Sequence, residues 1–105
     1  MKRLTLVVVF LLTPLLSFAE TLQTNVPGVT VKNFQCANSR VTFNLVNKSD
    51  KILYTLYINI FDSENDPIDK IFIGLDSLAS NSGKEYSKNY VQCNKLSRIG
   101  ITVNQ

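Results

Sequence analysis

The chain is predicted to be all-β: a small antiparallel sandwich of six or seven short strands, held by one disulfide. Three observations carry that prediction. Apolar residues alternate with polar ones over short runs rich in β-branched and aromatic side chains, and no run has a helical period. Polar turn clusters separate these runs at short, regular intervals. Two cysteines, and only two, sit behind an export-type leader.

The leader comes first. Met1-Lys2-Arg3 supplies two cations, residues 4–12 read LTLVVVFLL, and Ser17-Phe18-Ala19 places small residues at the minus-three and minus-one positions before Glu20. A basic start, a short apolar run and a small-x-small site predict a signal peptide over residues 1–19. The apolar run is shorter than the roughly 20 residues of a membrane-spanning helix, so no membrane insertion is expected after cleavage. No cysteine follows the run to take a lipid.

Removing residues 1–19 changes the bulk numbers. The full chain has 105 residues, 11 Lys and Arg, eight Asp and Glu, and a net charge of +3. The remaining 86 keep nine of the cations and all eight acids, for +1. That balance leaves no electrostatic footprint for nucleic acid or an anionic membrane. Apolar residues number 34 of the 86, enough for a modest core.

Residues 20–28 read as a lead-in ending at Pro27-Gly28, and residues 29–105 as the sandwich domain. Strands are expected at residues 29–35, 40–47, 52–61, 68–75, 84–91 and 97–103. The run ILYTLYINIF at 52–61 is the strongest. It should form a hairpin with 68–75 in which opposed residue numbers add to 129. Ile58 then meets Ile71, Leu56 meets Ile73 and Tyr54 meets Leu75 on the core face. The other face receives Phe61 with Ile68, Tyr57 with Phe72, and Asn59 with Lys70, and Leu53 extends it. Cys36 and Cys93 are expected to clasp one end of the sandwich, a bridge worth about 4 kcal/mol on loop closure.

Chemistry is sparse. Histidine is absent, which excludes histidine acid–base catalysis and Ser-His or Cys-His nucleophiles. Neither a P-loop nor a dinucleotide fingerprint occurs. Two sulfurs without histidine make no zinc site. Asp62, Glu64, Asp66 and Asp69 could converge on calcium, but Pro67 stands where an EF-hand loop needs glycine, and a solvated hairpin loop is the reading preferred. Asn47-Lys48-Ser49 fits the N-glycosylation pattern. No catalytic residue, metal or cofactor is expected.

The informative feature is the second face of the hairpin: Leu53, Tyr57, Phe61, Ile68 and Phe72. A sheet face that meets water is normally polar. Either another part of the chain covers this one, such as residues 20–28 or 77–83, or it is an interface. The expected function is therefore a secreted or periplasmic, non-enzymatic binding module that recognises a protein, with a homodimer as one form of that contact. The alternative is an exported inhibitor of a lysozyme or protease, presenting the loop 62–69 or 77–83. A hydrolase built on Asp62 and Glu64 is the remote third class.

Val46-Asn47-Lys48-Ser49, then Ile58-Asn59-Ile60-Phe61-Asp62, resembles the bacterial FxLYD group of immunoglobulin-like or fibronectin III-like domains. Ile58, Ile60 and Phe61 stand for the phenylalanine, leucine and tyrosine of the motif, and Asp62 is identical. Leu78 to Gly83 is similar to the turn that follows in that group. Tyr90 before Cys93 is similar to a tyrosine corner, but Val91 holds the required position and tryptophan is absent, which argues against an antibody-type domain. In leader, size and two cysteines the chain also resembles the interleukin-receptor-mimic family of small secreted proteins. That resemblance implies a disulfide-bonded fibronectin-like sandwich, a dimer and a host-protein ligand.

Overall fold

The computed structural model describes residues 16–17 and 21–104. The expected leader, residues 1–19, lies outside them except for Leu16–Ser17. The strands are β1 (Leu16–Ser17), β2 (Thr21–Gln23), β3 (Val29–Ala37), β4 (Arg40–Asn47), β5 (Leu53–Phe61), β6 (Pro67–Leu78), β7 (Ser82–Asn89) and β8 (Arg98–Asn104), with one short 3-10 turn at Cys93–Lys95. One sheet runs β1-β3-β4-β7, with β2 also pairing with β3. The other runs β6-β5-β8. All pairings are antiparallel. The all-β sandwich with one disulfide is therefore the observed fold.

The strands form where the alternation is clean. In β4, Val41, Phe43 and Leu45 are buried while Thr42, Asn44 and Val46 are half-buried. The β3–β4 hairpin turns on Asn38 and Ser39, both at positive φ, the twist a two-residue hairpin needs. Asn33 is left-handed too, and the register shifts between Lys32 and Gln35. That bulge moves the buried set of β3 from Val29 and Val31 to Phe34 and Cys36.

The two inner faces meet over Phe34, Phe43 and Tyr86, with ring centroids 6.2 and 5.9 Å apart. Tyr86 Oη donates to Leu75 O across the sheets at 3.0 Å. Residues 90–97 cross one end of the sandwich and bury Tyr90 and Leu96. Cys36 and Cys93 are bonded there, Cα atoms 5.4 Å apart, so the bridge is the terminal clasp the spacing suggested.

The β5–β6 register holds in its middle and slips at both ends. Thr55 to Ile60 pair with Gly74 to Asp69 as expected. Beyond them Leu53 faces Leu78, and Phe61 faces Pro67 instead of Ile68. Asp76 and Ser77, both at positive φ, form the first bulge. It swaps two residues of β5: Leu53 is 0% exposed in the core, and Tyr54, expected there, is 50% exposed. The 79–81 connection is correspondingly shorter than the expected turn, because β6 runs to Leu78 and β7 starts at Ser82.

Candidate functional site: the outer face of the second sheet

The registers of β5 with its two neighbours lay out this face row by row. Phe72, Tyr57 and Thr102 lie side by side, then Lys70, Asn59 and Gly100, then Pro67, Phe61 and Arg98. Tyr57 and Phe72 pack with centroids 5.3 Å apart and rings tilted by 58°. Phe72 keeps 47% of its surface exposed. Lys70 Nζ sits 5.3 Å from the Tyr57 centroid, and Arg98 Cζ only 3.9 Å from that of Phe61. Both are cation–π distances.

Hydrogen bonds fix the polar members. Asn59 Nδ2 donates to Gly100 O and Thr102 Oγ1, each at 3.3 Å. Asn104 Nδ2 donates to Thr55 Oγ1 at 2.9 Å. Arg98 Nε donates to Asn65 Oδ1 at 2.7 Å, a bond that helps to hold the guanidinium over Phe61. The face is thus an aromatic strip with two cations lying on it. Such a surface suits aromatic, apolar or acidic groups of a partner.

Of the five residues expected on this face, Tyr57, Phe61 and Phe72 are there. Leu53 is not, because the bulge turns it into the core. Ile68 is not either. It is the extra residue of the bulge between Asp69 and Pro67, and it packs half-buried against the core edge. There it lines a recess of about 550 Å³ with Asp62, Ser63, Asn94, Lys95, Leu96 and Ser97. The described parts of the two segments expected as a cover are placed as follows. β2 pairs with β3 in the other sheet, and β6 leads through residues 79–81 into β7.

Sequence reasoning missed Arg98 and Thr102, because it gave the last strand no neighbour. The β-branched run at 99–103 could have been set against 56–60, since Ile99, Ile101 and Val103 repeat the period of Ile60, Ile58 and Leu56.

Other candidates resolve differently. Asn47 is 0% exposed. Its Nδ2 donates to the carbonyls of Lys51, Leu78 and Ala79 at 2.9, 3.2 and 3.1 Å. Its Oδ1 accepts from Ser49 N and Oγ. The glycosylation pattern is therefore sealed in the folded chain, and its asparagine pins the two turns at one end of the sandwich. Asp62 Oδ1 accepts from the N–H groups of Glu64 and Asp66 at 2.9 and 3.0 Å, so this carboxylate shapes its own loop. Among the described residues no group of three or more His, Cys, Asp or Glu is placed to hold a metal. Burial, reinforced by Asp76, raises the Tyr86 phenol above its ordinary pKa, and burial with nearby Asp69 does the same for Tyr90.

Compared with known protein families, curated proteins and solved structures, the chain matches none.

Proposed function

We propose that the protein is an exported, non-enzymatic binding module that captures another protein on the outer face of β6-β5-β8. The observation that carries the reading is the Tyr57–Phe72 pair, with Phe72 47% exposed among the described residues, beside Phe61 and with Lys70 and Arg98 over the rings. Aromatic residues and arginine are the commonest energetic anchors of protein interfaces. The disulfide is compatible with an oxidising, exported location. A host protein is the partner class that the family resemblance suggests.

The test is a crosslinked pull-down with the oxidised protein, read by mass spectrometry, on the parent and on Phe72→Lys and Tyr57→Lys. Both variants should keep the β spectrum and lose the partner. If both unfold, the face is structural and the reading fails.

A second reading has its own support. The loop after β5 is preorganised. Asp62 N donates to Asp66 O at 3.0 Å, Asn65 N donates to Asp62 O at 2.9 Å, and Arg98 Nε donates to Asn65 Oδ1. A rigid loop beside a recess suits an enzyme inhibitor. In that case replacing residues 63–66 with glycine and serine abolishes inhibition, and Phe72→Lys leaves it intact.

A further inference from the structure

The outer rows of β6-β5-β8 hold two charged residues, Lys70 and Arg98, and both are cations. The acids of β6 are turned elsewhere. Asp69 stands opposite buried Ile60, on the side of the core, and lies beside buried Tyr90. Asp76, in the left-handed bulge, acts on Tyr86 of the other sheet. The charge of the strip is therefore of one sign.

The Arg98 guanidinium is ordered by the chain itself. Its Cζ lies 3.9 Å from the Phe61 centroid, and its Nε donates to Asn65 Oδ1 at 2.7 Å. Asn65 is a neutral residue of an acidic loop. The Asp62 carboxylate accepts from Glu64 N and Asp66 N, and the side chains of Glu64 and Asp66 are exposed. Among the described residues no carboxylate pairs with Arg98 or Lys70, and nothing accepts from the two Nη atoms of Arg98. Those atoms carry the guanidinium donors that match a carboxylate two at a time. A side chain already ordered gives up little further freedom on binding.

We propose that the strip takes an acidic segment of the partner protein, with one carboxylate on the Arg98 fork, a second at Lys70 and an apolar side chain on Phe72. This rests on capture of a protein at the strip and names the chemistry of what is captured. Charge complementarity selects that occupant. Lys70 and Arg98 lie over Tyr57 and Phe61, which are four residues apart on β5, about 14 Å along an extended strand. One carboxylate cannot serve both cations, so the segment needs two. A second copy bound through the same face would set these cations against a surface of their own sign. Two separated cations also make no continuous basic track for a polyanion, and the 47% exposed Phe72 asks for an apolar contact.

The probe is an acetylated, amidated peptide with two aspartates four positions apart and a phenylalanine two positions before the first, in a serine–threonine background. Its affinity for the oxidised protein is measured at low salt. The same peptide with asparagine for both aspartates should bind about tenfold more weakly or worse, which needs no change in the protein. Arg98→Gln should weaken the aspartate peptide to a similar degree, whereas Lys88→Gln, which removes the same charge from the other sheet, should leave it unchanged. The proposal is overturned if the aspartate peptide does not bind at millimolar concentration, or if the asparagine peptide binds equally well. Equal binding by a peptide without phenylalanine overturns it in favour of a polyanion. Twice the chain mass in light scattering, reduced to the chain mass by Phe72→Lys, overturns it in favour of a second copy. Failure here is separable from failure of the strip itself: if Phe72→Lys loses the captured partner and Arg98→Gln keeps it, the strip stands and only its acidic ligand falls.

Discussion

The two sheets bury matching inner faces and present opposite outer ones. On β3-β4-β7 the outer rows read Lys32, Asn44, Glu85, then Gln35, Thr42, Ser87, with Arg40 donating to Ser87 at 3.0 Å. That is the polar surface expected of a sheet facing water. On β6-β5-β8 the corresponding rows carry Phe72, Tyr57, Phe61 and the cations over them. Folding requires only the inner rows, and those are equally apolar in both sheets. The difference between the outer rows is therefore not a demand of the fold. Under the proposed function, it marks the residues available for recognition.

The comparison can be broken first at the level of the core. Replacing Cys36 and Cys93 with serine should cost about 4 kcal/mol, read as a lowered urea midpoint. Ile58 and Tyr57 are neighbours on one strand with opposite roles. Ile58→Ala should cost about 2–5 kcal/mol, whereas Tyr57→Ser should stay within about 1 kcal/mol of the parent. If Tyr57→Ser costs as much as Ile58→Ala, the outer row is part of the core and the contrast between the faces is lost. Asn47→Ala leaves the carbonyls of Leu78 and Ala79 without their donor and should cost about 2–3 kcal/mol, with no change in binding at the strip.

A smaller effect concerns pH. Tyr86 and Tyr90 are held neutral by burial, with Asp76 and Asp69 adding to the shift. A raised native pKa favours the protonated folded form. Its contribution is complete below the ordinary phenol value and is lost as pH rises through that value to the higher native one. The urea midpoint should therefore fall on the alkaline side of pH 10, and less so in Tyr90→Phe. An unchanged slope in that variant would remove Tyr90 as a source.

Much of this was legible in the sequence. The period-two runs placed every strand from β3 to β8 within a few residues, and the central β5–β6 register followed from alternation alone. What escaped was the break in that alternation. Asp76 and Ser77 take a left-handed conformation that neither residue type announces, and the bulge exchanges Leu53 with Tyr54. Ile68 was misplaced for the same kind of reason, as the extra residue beside Pro67. The aromatic pair was visible because it lies in the unbroken middle. Arg98, the cation over Phe61, was not, because its place depends on the long-range pairing of β8 with β5, which the shared period of residues 99–103 and 56–60 permits but does not single out.

The central claim is that recognition belongs to one outer face and not to the other. Lysine placed on each tests it most directly, with Phe72→Lys and Ser87→Lys carried through the same crosslinked capture from oxidised, folded protein. The account predicts that Phe72→Lys loses the captured partner and that Ser87→Lys retains it at the parent level. Retention by both variants, or loss in Ser87→Lys alone, would contradict it.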